Sequence, residues 1–387
     1  SKYIAPNINK IGCFIAYTGI HHMLFRYLKT PIIATSANLK DEPIIRGKEE
    51  IFEKLSGVVD FVLDYNRDII NTCDDSIIQV VKNYNIKLRN ARAYAPTPIK
   101  LDKKIEKKIL SLGANQKSTI SLAFENNLIL SPHIGDLNSI QAVEYFERTI
   151  NTFKNFYDFE PEVVICDKHP NYESTKFAFK LKEKNPNIKL IQIQHHYSHI
   201  LSVMAENKLD EEVLGIAFDG TGFGDDGNIW GGEVFVASRK EYKRVNHIKY
   251  FRLLGGEMAI KEPKRVALSL LFDVFSLEEI LLLDIPTVKA FKEAEIKMLY
   301  TMWQKGLNAP LTSSVGRLFD AISSFANILH MQTYEGETGL QIEQNYDSSI
   351  KHIYSYKILE NEIDLSSMIK EIIKDKDKKT ICSKFIN

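Results

Sequence analysis

Three histidines, His195, His196 and His199, stand close together in the run IQHHYSH. Further along, Asp219 closes an apolar run, VLGIAF, and opens a glycine-rich one, GTGFGDDG. Imidazole nitrogens bind Zn²⁺ and Fe²⁺, and carboxylate oxygens complete such sites. On a helix, residues i and i+4 share a face, so His195 and His199 can hold one cation from consecutive turns. His196 points about 100° away on an ideal helix and is a weaker candidate. Asp219, at a strand end beside the start of that helix, supplies a third ligand with open positions left over. An HxxxH pair is also a common core or surface feature; the neighbouring carboxylate and glycines are what favour a metal.

Gly222, Gly224 and Gly227 spell GxGxxG behind a strand. The dinucleotide fingerprint needs a helix next, but NIWGGEVFVA reads as another strand. The glycines are therefore expected in a β-hairpin cradle whose backbone N–H groups can point at an anion, with Gly220, Thr221 and Gly222 among its members. Neither a GxxxxGKS/T loop nor HExxH occurs in the sequence, which removes the P-loop and zincin readings. Upstream, Thr35, Ser36 and Asn38 follow the apolar run PIIAT. Small hydroxyl and amide side chains at a strand end can take phosphate or ribose oxygens, or simply make a polar turn. Asp136, Asp167 and His169 also follow predicted strands, where open α/β sheets bind ligands; each serves equally as a turn or cap residue.

The elements that must position these side chains alternate, and alternation means α/β. Strands are expected at 11–17, 31–35, 59–63 and 76–81, and helices at 22–28 and 48–55. Ala95-Pro96-Thr97-Pro98 stiffens the chain and the charged stretch DKKIEKK follows, so 96–112 reads as a linker between domains 1–95 and 113–387. Beyond it, 118–124 and 128–131 read as a hairpin around Glu125-Asn126-Asn127. A helix at 139–157 has Ile140, Val143, Phe146, Ile150 and Phe153 at helical spacing. Then come a strand at 162–166, a helix from Asn171 or Tyr172 to near Asn185, and apolar strands 188–193 and 213–218, expected to be buried neighbours in one sheet. This order suits the ribonuclease-H-like half of an actin/sugar-kinase-type fold. A strand over 247–254 precedes helices expected at 264–275, 277–283, 286–304 and 316–330, and two charged helices fill 360–387.

At 387 residues the chain exceeds one ordinary core. Lys+Arg and Asp+Glu are both 50, which gives no global field for nucleic acid or membrane. No run approaches ~20 apolar residues, so no helix is expected to span a membrane, and SKYIAPNINK lacks a signal h-region. The dispersed cysteines Cys13, Cys73, Cys166 and Cys382 form no CxxC and fit reduced thiols in a cytoplasmic setting. A start without Met and a stop within an amphipathic pattern read as an excised fragment.

TSANLKDEPI, DFVLDYNRDI and CDDSIIQVV resemble the second half of a YrdC-like domain, a family that binds ATP and makes acyl-adenylates. AYTGIHHMLF and KLRNARAYAPTPI narrow the resemblance to the hydrogenase maturation carbamoyltransferases, HypF. Asn90 and Ala93 stand where that family usually has Arg and Gly, while Arg89 and Arg92 remain. GANQKSTISLAF, SPHIGDL, CDKHPNYEST, IQHHYSH, FDGTGFGDDGNIWGGE, GGEMAIKEPKRVAL and SSVGRLFDAISSFANI continue the match in order. The resemblance implies a partial YrdC-like α/β domain, then a two-lobed, ribonuclease-H-like nucleotide-binding domain truncated at its C-terminus. It maps metal ligands onto His195, His199 and Asp219, with a fourth, an Asp in an NDGG-type segment, beyond Asn387. By similarity to the tRNA threonylcarbamoyl-transfer enzymes, Asp320 holds a ribose and Gly336 approaches the nucleotide; Glu337-Thr338-Gly339 stands where the carbamoyltransferase family has GQAA.

What the resemblance implies is carbamoyl transfer in nickel–iron hydrogenase maturation. Carbamoyl phosphate and ATP give a carbamoyl-adenylate, and a site containing Fe or Zn passes the carbamoyl group to the C-terminal Cys of HypE, from which cyanide ligands are made. An O-carbamoyltransferase shares both domains in the opposite order. A tRNA-modifying transferase would need basic surface. A fragment that binds without turnover is the remaining alternative.

Overall fold

The computed structural model describes residues 4–40 and 42–387. Residues 1–3, and residue 41 in the TSANLKDEPI segment, lie outside the described residues. The chain divides into two units, Ile32–Ile193 and the pair of segments Ser1–Pro31 and Gln194–Asn387.

In the Ile32–Ile193 unit a helix, Lys48–Leu55, carries Glu49 and Glu50 in its first turn, where they suit the helix dipole. Strands β1 (Ile77–Val81) and β2 (Tyr84–Arg89) form an antiparallel hairpin. The main sheet has β3 (Thr97–Ser111), β4 (Ser121–Leu130), β5 (Val163–Asp167) and β6 (Lys189–Ile193) in the order β4-β3-β5-β6. Helices Ile140–Phe156 and Glu173–Lys184 supply the crossovers, the first capped by Ser139 accepting from Ala142 N–H. Leu110, Leu122, Phe146, Ile150 and Val164 form the core.

Several expectations fail in this unit. Residues 97–111, expected mostly as linker, are a strand, and β4 is one strand paired with it rather than a hairpin about residues 125–127. The charged run hides an apolar alternation, Ile99, Leu101, Ile105 and Ile109, whose lysines are solvated on a two-stranded ribbon. Glu125, at φ 50°, pairs with Ile105 between two register shifts of the β3–β4 ladder and makes no reversal. Residues 31–35 and 59–63 form no strand; Phe61 is 94% exposed. An apolar run becomes a strand only where a neighbouring strand takes its N–H and C=O groups, and among the described residues no strand ladder includes these segments. Residues 11–17 in the other unit likewise form no strand, and the nearby helix is Gly19–Tyr27.

In the second unit, β7 (Val213–Phe223) and β8 (Ile229–Ala237) are antiparallel, and β9 (Tyr242–Ile248) pairs with β8. Strands β10 (Phe251–Arg252), β11 (Leu311–Thr312), β12 (Lys357–Leu359) and β13 (Glu362–Asp364) complete the order β10-β11-β8-β9-β13-β12, with β7 off this path and paired to β8. The core packs Leu254, Leu268, Leu271 and Ile322 on helices Pro263–Phe272 and Val315–Phe325 and the chain before them. The expected helix 286–304 is two helices, Pro286–Lys289 and Glu293–Lys305. Near the N-terminus, Lys10 Nζ lies 2.9 Å from Glu343 Oε2, and Gln344 Nε2 donates to Asn7 O at 3.0 Å, tying that segment to helix Glu337–Gln344.

Strand β7 is neither fully buried nor paired with β6. Gly215 and Ala217 are buried, but Leu214, Ile216 and Phe218 are 67%, 60% and 65% exposed. A strand presents two faces with period 2, and a continuous apolar run does not require both to be covered. No helix of the described residues is long and apolar enough to cross a membrane.

Candidate metal and nucleotide site

Helix His195–Glu206 begins at Gln194, whose Oε1 accepts the N–H of Tyr197 at 2.8 Å. That cap fixes the first turn, and with it His195 and His199, whose Nε2 atoms lie 3.2 Å apart. Strand β7 brings Asp219 to the same point, its Oδ2 3.2 Å from His195 Nε2. One ligand atom from each of His195, His199 and Asp219 lies within 4.8 Å of the others. Burial works to raise the Asp219 carboxyl, but hydrogen bonding and charge from His195, with Gly220 N–H, hold it below the usual carboxylate range.

His196 has a part that helix geometry alone did not reveal. It is fully buried and sits behind the carboxylate, its Nε2 3.6 Å from Asp219 Oδ2. Because Gln194 Oε1 is taken by the cap, its Nε2 is the donor, 3.1 Å from His196 Nδ1 and 3.1 Å from Phe223 O. His196 Nδ1 therefore accepts, and its proton sits on Nε2, facing Asp219. Burial outweighs the carboxylate's pull and drops this imidazole to about 4, so it stays neutral. Only glycine fits at 222: a Cβ there would fall on His196 Cε1 and stand 2.9 Å from its Nε2.

The β7–β8 ladder pairs Phe218 with Gly232 and resumes at Gly222 opposite Trp230, so residues 219–221 bulge out of register. Ser314, the N-cap of helix Val315–Phe325, donates to Asp219 O (2.9 Å) and Gly220 O (2.8 Å) and accepts from Arg317 N–H (3.1 Å). Gly316 allows this approach; a Cβ on it would stand 2.7 Å from Gly220 Cα. The turn beyond is a β-hairpin, as expected, but it is closed upon itself. Gly224 N–H bonds to Asn228 O, Gly227 N–H to Gly224 O, and Asp226 Oδ1 accepts from Asn228 N–H and Trp230 Nε1. The bulge at 219–221, rather than the turn at 224–227, is the open part of the glycine run. Buried Glu233 braces it, accepting from Gly231 and Gly232 N–H and from Arg244 Nε at 2.6 Å, while Arg244 lies 4.0 Å over the Trp230 ring.

Asp320 is almost fully buried, taken by Thr338 Oγ1 at 2.8 Å and lying 2.8 Å from Arg317 Nη1. Gly336 (φ 77°) starts the helix that carries Thr338, so the two residues singled out by resemblance are close, though the carboxylate already has partners. Asp136 accepts Lys117 N–H and Asp167 accepts His169 N–H, which are turn roles.

In the other unit, Thr35, Ser36 and Asn38 are not a strand end. Ser36 Oγ donates to Asn38 Oδ1 at 2.5 Å, and Asn38 Nδ2 donates to Leu39 O and Glu42 O. Ser36 and Asn38 line a cavity of about 210 Å³ with Cys73, Asp74, Arg89 and Tyr145. Arg89 is held by Asp74 at 3.1 Å. Sequence reasoning did not link the cavity-lining Tyr145, far along the chain, with this segment.

A model of YrdC-type domains, described as telomere recombination, matches residues 1–91. The HypF Kae1-like domain matches 104–206, and the second subdomain of the carboxyl-terminal Kae1-like carbamoyltransferase domain matches 215–387. These matches place the chain in the class that joins a YrdC-type domain to a Kae1-like carbamoyltransferase domain. Carbamoyltransferase HypF of Synechocystis is 38% identical over 408 residues, covering 99% of this chain and 52% of the relative. Probable carbamoyltransferase HypF of Methanocaldococcus jannaschii is 35% identical, over 89% of this chain and 44% of its own. A crystal structure of full-length HypF in the phosphate- and nucleotide-bound form superposes with a TM-score of 0.90 at 35% identity, over 100% of this chain and 60% of that one. T. kodakarensis HypF gives 0.89 at 31%, over 98% and 51%. The chain belongs to the HypF carbamoyltransferase family and spans about half the length of the curated relatives it matches.

Proposed function

We propose that the chain carries the carbamoyl-transfer site of a hydrogenase-maturation enzyme. Hydrolysis of carbamoyl phosphate releases carbamate and phosphate, carbamate displaces pyrophosphate from ATP to give a carbamoyl-adenylate, and its carbamoyl group passes to the C-terminal Cys of HypE for synthesis of the cyanide ligands. The observation that carries this reading is the convergence of His195, His199 and Asp219 beside the 219–221 bulge, in a chain homologous to HypF. Two imidazoles and a carboxylate this close suit Fe²⁺ or Zn²⁺. When bound, such a cation supplies Lewis-acid polarisation of the carbamoyl carbonyl or the leaving phosphate.

The chain's own residues do the remaining work. Gln194 orients His196, whose Nε2 faces Asp219 from its buried side at 3.6 Å. The bulge and Gly220, Thr221 and Gly222 let a phosphate approach the backbone closely, and Asp320 and Gly336 flank the nucleotide. Thr35, Ser36 and Asn38 belong to the adenylating portion. The acceptor thiolate forms a C–S bond to the carbamoyl carbon as the C–O bond to phosphate breaks and AMP leaves with the electron pair. The nucleophile comes from the acceptor, so the chain needs no catalytic Cys or Ser. Its four free cysteines suit a reducing, cytoplasmic setting.

Metal content after dialysis against Fe²⁺ or Zn²⁺ tests the site: wild type is expected to retain a stoichiometric cation and His199→Ala to lose it. Mass spectrometry of the acceptor Cys, with the full-length enzyme carrying the same substitution, tests the reaction. An undiminished carbamoyl adduct would falsify the metal role. Metal retained without any transfer would favour a binding module.

A further inference from the structure

Arg317 is 8% exposed, and its guanidinium is not used up by the protein around it. Nη1 lies 2.8 Å from Asp320 Oδ2, yet that contact lacks hydrogen-bond alignment: Nε, Nη1 and Asp320 Oδ2 have no hydrogen-bond partner. The other Asp320 oxygen is taken by Thr338. A buried cation held this loosely is costly unless something else shares its charge. Nη2 points to the bulge, 3.7 Å from where a Cβ on Gly220 would be. There Ser314 engages the carbonyls of Asp219 and Gly220, and residues 219–221 lie outside the ladder register. The first turn of the eleven-residue helix Val315–Phe325 opens at the same place, and its leading N–H groups favour negative charge. Three independent features therefore converge on one point: a buried guanidinium with free donors, a helix N-terminus, and a backbone bulge kept bare by glycines at 220 and 316.

We propose that Arg317, with the first turn of its helix and the 219–221 bulge, forms an oxyanion site that takes the phosphate of an adenylate, Arg317 donating from Nε and Nη to two of its oxygens. The inference rests on the nucleotide reading of the same site and adds the residue that reads the phosphate group. Arginine suits this role because its planar fork offers parallel donors to a tetrahedral oxyanion. Asp320 then acts as the guanidinium's resting partner, giving it up in part when phosphate arrives.

Calorimetric titration of the metal-free chain with inorganic phosphate and, separately, with AMP tests this, alongside metal content and a thermal melt of each variant. Arg317→Gln is expected to weaken both ligands at least about tenfold, and Arg317→Lys to weaken them less, with metal content unchanged. Asp320→Asn is expected to tighten inorganic phosphate several-fold, because it removes the competing carboxylate. A purely structural ion pair predicts instead that all three variants melt lower and bind phosphate as wild type does, and that result overturns the proposal. So does a wild-type chain that binds neither ligand. If Arg317→Gln melts too low to titrate, Arg317→Lys and Asp320→Asn decide by their opposite signs. A chain that binds phosphate through Arg317 but retains no metal would sink the transfer reading and leave this site standing.

Discussion

With its ring fully buried and Nδ1 accepting from Gln194, His196 turns Nε2–H toward Asp219 at 3.6 Å and stands outside the candidate metal-ligand set. Groups that orient a ligand from behind typically change metal affinity 10–100-fold when removed. His196→Ala should therefore weaken Zn²⁺ by roughly that factor in a chelator competition, and His196→Asn, which keeps a donor, should recover part of it. Equal affinity in all three proteins would remove the positioning role. The i,i+4 spacing made His195 and His199 legible in the sequence. The part played by His196 was not, because it depends on a strand distant in the chain. Asp320 offers a second test. Burial, against Arg317 and Thr338, pushes its carboxyl from the ordinary 3.8 up to about 6. A raised acid binds its proton more tightly folded than unfolded, so its contribution to stability falls as pH rises through that window and stays low above it. The stability of Asp320→Asn relative to wild type should climb by roughly 3 kcal/mol between ~pH 4 and ~pH 6. Urea unfolding across that range would show it; a pH-independent difference would contradict it.

Strand β7 holds a candidate metal ligand, a bulge and a glycine against a histidine within eleven residues. Gly222→Ala must push the strand from the helix, so it should cost about 1–3 kcal/mol by overpacking and lower metal retention together. A variant that melts like wild type and keeps its metal would mean the helix yields freely. Ser314→Ala removes both a cap and the grip on the bulge, and should lower unfolding free energy by about 1–2 kcal/mol. The helices at 48–55 and 139–157 and the strands at 162–166 and 188–193 were legible because their periodicity and caps are local. Strands at 11–17, 31–35 and 59–63 were misread because strand formation is decided by a neighbour, which no local pattern records. In β7 the composition was read correctly and the exposure wrongly, since an apolar run such as VLGIAF does not say how many faces a sheet covers.

The whole molecule extends that difference to dynamics. Amides at 32–35 and 60–63 lie outside any ladder and should exchange with solvent far faster than those of β5 or β8, by hydrogen exchange read with mass spectrometry. Comparable protection would mean those segments are paired. One unit is a single stretch of chain, Ile32–Ile193, while the other joins Ser1–Pro31 to Gln194–Asn387. The contacts of Asn7 and Lys10 with helix Glu337–Gln344 therefore cannot form until that helix has been made. Lys10 is separated from Glu343 by 333 positions. At about 5–20 residues per second, a nascent chain holds the segment around Asn7 and Lys10 without its partner for on the order of tens of seconds. The continuous unit can be complete on the ribosome through much of that time, so synthesis itself imposes an order of assembly that refolding from denaturant does not share.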